Sequence, residues 1–176
     1  MKNIPKIHLL ESNTKKDAIK IVEKWIDSLG IRTSLVDKHR PWGAFWHIEK
    51  YYHQKFMDLF FPEINLNSDH NLSAKFMLIE PHQKLSFQWH GLRDEIWKVV
   101  FGRIKVGLSH TDDIPKDKQL KTYKVGKLIE IKRKERHQVT GTDNWSLFAE
   151  IWQHCNPNCP SSEEDEVRVQ DNYSRV

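Results

Sequence analysis

The stretch "SFQWHGLRDEIWKVVFG", residues 86–102, decides how the chain is read. Apolar and polar residues alternate along it as on a half-covered β-strand, where side chains two apart share a face. Extended back to residue 82, one face carries His82, Lys84, Ser86, Gln88 and His90, and the other Leu85, Phe87 and Trp89. A turn at 91–94 leads to a second strand, expected to pair back antiparallel on the first. Its alternation sets Glu95, Trp97 and Val99 on one face and Ile96, Lys98 and Val100 on the other, so Lys98 should point away from any site built on Glu95. Gln88, His90 and Glu95 then fall close together among aromatic rings. Burying the Glu95 carboxylate unpaired would be costly, and either a divalent cation or an arginine would offset that cost. A polar cluster closed by its own hydrogen bonds is the plainer alternative.

Beyond this stretch the pattern is of short apolar segments bounded by Gly, Pro, Asn or charged turns. "GAFWHIEK", "SAKFMLIE", "EIWKVVF", "RIKVGLS", "LIEIK", "RHQVTG" and "WSLFAEIW" all read as strands. Many short strands and few helices predict an all-β sandwich or barrel. One amphipathic helix is expected, in "TKKDAIKIVEKWIDSLG", with Ala18, Ile19, Val22, Trp25, Ile26 and Leu29 on one stripe, Thr14 as cap and Gly30 as stop. The segments "FFPEINLNSDHN" and "HTDDIPKDKQ" read as surface loops. The division expected is a helical extension over 1–39 and a barrel over 40–176, with a C-terminal tail that folds back across the opening.

With 176 residues, 28 basic and 24 acidic, the chain is long enough for one domain and only mildly cationic. The basic "KRKER" at 132–136 is a charged turn without a wider basic stripe, so no nucleic-acid partner is expected. Nothing approaches eighteen consecutive apolar residues, so no membrane association is expected and the protein is placed in the cytoplasm. Cys155 and Cys159 read as two ordinary loop thiols. An outward row of Leu85, Phe87 and Trp89 would need cover, which makes a homodimer the expected assembly.

A fourth metal donor is available in His137, at the start of a later strand. Gln88, His90, Glu95 and His137 make a mixed N/O set suited to one divalent ion acting as a Lewis acid, zinc by default, with manganese, iron, cobalt or nickel also compatible. The pattern Gln88-x-His90-x4-Glu95, with Gly102 and a distant His137, resembles the two-part cupin metal motif with Gln in place of the first His. Three pieces in order, "RPWG" at 40–43, "KLSFQWHGLRDEIWKVVFG" at 84–102 and "EEDEVRVQDNYSR" at 163–175, resemble the cupin domain of type II mannose-6-phosphate isomerases. The resemblance runs from Arg40 almost to the end. It departs in Gly91–Leu92, where the family has more histidine, and in "KRKER", which replaces a Pro-x-Gly turn.

The resemblance implies a cupin (double-stranded β-helix) barrel, preceded by the helix. It also implies metal-dependent interconversion of mannose 6-phosphate and fructose 6-phosphate through an enediol. On that basis Lys84 and Arg168 are the candidate catalytic residues, and Ser86 and Arg93 the candidate substrate contacts, with Arg93 reaching a phosphate at the barrel mouth. Two alternatives stand beside it: a sugar-binding cupin without turnover, and an isomerase of a different sugar.

Overall fold

The computed structural model describes residues 4–64 and 72–174. Part of the expected loop at 60–71 and Arg175 of the C-terminal motif lie outside the described residues. Helix α1 (Lys15–Ser28) forms where the apolar stripe places it. The Thr14 hydroxyl accepts from the Asp17 backbone N–H, and all six stripe residues are buried. A second helix, α2 (His53–Phe60), follows β1 (Thr33–Asp37) and β2 (Gly43–Ile48). The remaining strands are β3 (Leu72–Ile79), β4 (Phe87–His90), β5 (Arg93–Phe101), β6 (Arg103–Ser109), β7 (Lys121–Lys124), β8 (Leu128–Ile131), β9 (Arg136–Gly141), β10 (Ser146–His154) and β11 (Glu166–Gln170).

Among the described residues these strands make two antiparallel sheets, one ordered β1-β2-β3-β10-β5-β8 and the other β11-β4-β9-β6-β7. The expected pairing of β4 with β5 does not occur. Each strand joins a different sheet, and the chain crosses between sheets at 91–92 and again at Gly102. Gly102 adopts φ +71°, and a Cβ there would meet the Trp145 carbonyl oxygen at 2.4 Å, so the second crossing needs glycine. His90 and Glu95 therefore face one another across the interior rather than along a ladder. Their proximity comes from the crossing between sheets and not from a β4–β5 ladder.

The larger sheet is buried on both sides. Ala74, Phe76 and Leu78 of β3 and Leu147, Ala149 and Ile151 of β10 project outward into a core closed by α1, α2 and the N-terminal segment. Phe76 there meets Trp25, Phe56 and Phe60 with ring centroids 5.0–5.2 Å apart. The opposite face of the same strands looks toward the smaller sheet. Phe45, Met77, Trp97, Val99 and Phe148 fill the lower part of that interior together with Ile104, Val106 and Val139 of the smaller sheet. Its upper part is polar.

Strands β1, β7 and β11 and helix α2 were not expected from the sequence. β7 is "KTYK", largely exposed and without apolar alternation. α2 is only eight residues long and has no side-chain cap. The row Leu85, Phe87, Trp89 is not an outward apolar surface: Leu85 belongs to the inner core, Phe87 is fully buried, and Trp89 is half-buried with the Arg136 guanidinium 5.3 Å from its ring centroid. The reason for expecting a homodimer is removed with it. No described helix is long and apolar enough to cross a membrane.

Candidate metal centre

Three strands bring the proposed donors together. β4 supplies Gln88 and His90, β5 supplies Glu95, and β9 supplies His137, which sits directly opposite Gln88 in the smaller sheet. All four are buried, and donor atoms of His90, Glu95 and His137 lie within 4.8 Å of one another. His90 Nε2 is 3.2 Å from Glu95 Oε1, and His137 Nε2 is 3.8 Å from Glu95 Oε2.

Hydrogen bonds on the far side of each imidazole fix which nitrogen faces inward. His90 Nδ1 lies 2.9 Å from the Asp165 carbonyl oxygen, and His137 Nδ1 lies 3.0 Å from the Glu135 carbonyl oxygen. A carbonyl oxygen only accepts, so Nδ1 carries the proton in both rings and Nε2 presents a lone pair. Burial lowers the pKa of both rings, His90 to about 4, and Glu95 opposes the shift by its charge. Burial resists the charge on Glu95, yet the cationic Arg93 and Lys75 hold its carboxyl well below the usual carboxylate range. Two neutral imidazole lone pairs and an ionised carboxylate thus converge on one point.

His137 Nε2 is buried without a hydrogen-bond partner among the described residues. Orphaned buried acceptors are rare, and a cation at this point would satisfy this one. The outer hydrogen bonds from imidazole to carbonyl are also the usual support for metal-ligating histidines. The donor set therefore fits a divalent ion. Gln88 takes part through its amide edge: Oε1 accepts from the Ser86 hydroxyl, and Nε2 is 3.3 Å from His90 Nε2.

The other expected site residues divide. Arg93 is not at the mouth. It is 2% exposed, with Nε donating to Glu95 Oε1 at 2.8 Å and an η nitrogen 3.1 Å from His90 Nε2. Ser86 lines the cavity, and its hydroxyl oxygen also lies 2.9 Å from Glu166 Oε1, so its one proton is shared between Gln88 and Glu166 as alternatives. Arg168 lines the cavity opposite Gln88 in the β11–β4 ladder and is ion-paired with Glu166. Lys84 does not line it. Regular strand geometry begins only at Phe87, Leu85 and Ser86 both face the cavity, and Lys84 sits one break out of phase, bridged to Thr140. Lys98 points away, paired with Glu63 at 2.6 Å, as its alternation predicts.

A second polar group was missed. Directly across the larger sheet, His47, Lys75, Glu150 and Trp97 occupy facing positions on β2, β3, β10 and β5. Lys75 and Glu150 are buried, with Nζ to Oε2 at 3.8 Å. Lys75 also reaches Glu163 at 3.3 Å, and His47 meets the same Glu163 oxygen at 2.8 Å. Trp152 Nε1 donates to Glu150 Oε1 at 2.6 Å. Burial pushes Glu150 up to about 8, against the pull of Lys75. Burial also opposes the charge on Glu163, but Lys75 and His47 hold its carboxyl below the usual range. Lys75, Glu150 and Glu163 line one cavity of about 90 Å³ together with Gln88, Glu95 and His137. A sequence cue existed, since Lys75 and Glu150 are the lone charges in strands apolar on both faces.

Among solved structures, a variant of Bacillus subtilis oxalate decarboxylase aligns over 78% of this chain at 11% identity with a TM-score of 0.52. The formate complex of Lactobacillus farciminis oxalate decarboxylase aligns over 78% at 13% identity with a TM-score of 0.51. The fold is a cupin barrel. This chain spans about a third of those decarboxylase chains, covering 30% and 33% of them, and at such identities the likeness extends to the barrel alone. A sugar phosphate isomerase of the cupin superfamily from Silicibacter pomeroyi aligns over 47% of this chain and 50% of its own at 17% identity, with a TM-score of 0.39, too loose to carry an argument. No protein-family model and no curated protein matches the sequence.

Proposed function

We propose that this chain is a metal-dependent aldose–ketose isomerase acting on a phosphorylated sugar, with mannose 6-phosphate and fructose 6-phosphate the first pair to test. The observation that carries the reading is the Glu150–Lys75 pair on the wall of the same cavity as Gln88, Glu95 and His137, with His90 against Glu95. Aldose–ketose conversion needs a proton moved between adjacent carbons, and a carboxyl poised near neutral pH is suited to give or take it. Bound by the four donors, with the Gln88 amide turned to present its oxygen, a divalent ion such as zinc would supply Lewis acidity toward the sugar's carbonyl and hydroxyl oxygens. Arg40 and Arg168 line the cavity as cations for a phosphate, and Arg168 Nε is buried without a hydrogen-bond partner among the described residues.

The cavity volume favours a second reading. An interior of about 90 Å³ is small, which suits a shorter or unphosphorylated sugar better than a hexose phosphate. A coupled assay with mannose 6-phosphate, with and without chelator, followed by a panel of pentoses, hexoses and their phosphates, separates the two. Chelator-sensitive turnover supports the isomerase, and its substrate chooses between the readings. Metal-loaded protein inert on the whole panel would remove both. Glu150→Gln should lower kcat by about 10²- to 10⁴-fold with metal content unchanged.

A further inference from the structure

We propose that Arg93 is the centre's own stand-in cation, and that a divalent ion can bind only by taking the His90 Nε2 lone pair away from it; the proposal rests on the metal reading above. The argument is one of counting lone pairs. His90 Nδ1 carries the proton because it faces the Asp165 carbonyl oxygen, so Nε2 has a single lone pair. That pair now faces an Arg93 η nitrogen at 3.1 Å, nearer than the Gln88 amide nitrogen at 3.3 Å. A metal–imidazole bond uses the same pair along the same direction, so the two states exclude each other. Glu95 Oε1 is different: a carboxylate oxygen has lone pairs to spare and can keep its bond to Arg93 Nε at 2.8 Å while the other oxygen turns to a metal.

The surroundings are built for a partial release. The other η nitrogen of Arg93 donates to the Ser161 hydroxyl at 2.8 Å and the Ser162 carbonyl oxygen at 2.9 Å, and the guanidinium lies 3.6 Å from the centroid of the Trp152 ring. These contacts hold the side chain in place when the edge facing His90 lets go. Without metal, the same fork compensates the buried Glu95 charge, which is the arginine solution to the cost of burying a carboxylate. The barrel therefore keeps a closed, charge-compensated centre before any ion arrives, and the ion must compete for entry.

Cobalt(II) titration of the wild type, Arg93→Met and Arg93→Lys, followed by calorimetry, reads the competition without any substrate. Arg93→Met should bind cobalt at least tenfold more tightly than wild type. Arg93→Lys keeps the charge but cannot fork between Glu95 and His90, so it should also bind several-fold more tightly. A Lys variant indistinguishable from wild type would reduce the effect to charge repulsion and overturn the proposal. Because a buried arginine can be needed for folding, the second measurement uses wild type alone. In ¹⁵N-resolved spectra the Arg93 η and His90 Nε2 resonances should both shift, in step, as zinc is added. Stoichiometric zinc binding that leaves the Arg93 η signals unmoved sinks the competition and spares the metal reading. Absence of binding to all three proteins sinks both.

Discussion

Neighbouring residues of β3 point to opposite sides of the larger sheet, Phe76 outward and Lys75 inward, and their surroundings could hardly differ more. Phe76 is fully buried among three aromatic rings under the helices. Lys75 is also buried, but among Glu150, Glu163, Phe45 and Trp152, with its Nζ 4.3 Å from the Trp152 ring centroid. One face spends its burial on apolar area alone. The other buries charge, and each charge there demands a partner placed to within an ångström or so. The first face is tolerant and strong; the second is exacting and chemically capable. A single strand serves both because its side-chain period is two.

Four measurements test that contrast, taken in decreasing order of effect. Phe76→Ala should cost about 3–5 kcal/mol in denaturant unfolding, while metal affinity per folded molecule stays within about threefold. Lys75→Met should cost less, about 1–3 kcal/mol, because Glu150 already holds its proton near neutral pH, Glu163 keeps His47 and Glu95 keeps Arg93. A larger loss than that of Phe76→Ala would reverse the ranking of the two faces.

The third measurement is of pH. Glu150 has a folded pKa of about 8, above its ordinary 4.5, so the folded state holds the extra proton between those values. Its contribution is full below about pH 4.5 and is lost as pH rises toward about 8, with a slope of at most about 1.4 kcal/mol per pH unit. Glu150→Gln should remove that slope and change stability at pH 5 by less than about 1 kcal/mol. His90 gives the opposite limb. Its folded pKa of about 4 lies below its ordinary 6.5, so its contribution is present above pH 6.5 and lost as pH falls through about 4. His90→Gln, measured in chelator, should flatten the acid limb alone. Last, Lys84→Ala should alter neither metal binding nor stability by more than about 0.5 kcal/mol, which checks its placement outside the cavity.

What the sequence revealed follows the same contrast. Elements with a clean period could be read directly: α1 from its stripe, and β5 and β10 from their apolar runs. Gln88, His90, Glu95 and His137 could be singled out because metal donors stand out by type, though the crossing between sheets that unites them could not. Lys84 was misplaced because alternation was extended through 85–86, where the chain is not a regular strand. Lys75 and Glu150 each stand out as the lone charge of an apolar strand, but that they face one another follows only from the β3–β10 register. The expectation that the C-terminal tail folds back left its partners open: Asp165 accepts from the backbone N–H groups of Gly91 and Leu92 at 2.9 Å each, and Glu163 reaches Lys75. Docking of this kind depends on where distant backbone donors end up, which no local pattern encodes.

The hydrogen bond from the His90 ring to the Asp165 backbone spans 75 positions of chain. Translation at about 5–20 residues per second therefore leaves that imidazole roughly 4–15 s without the carbonyl that fixes its proton. During this interval either ring nitrogen is free to capture a stray ion.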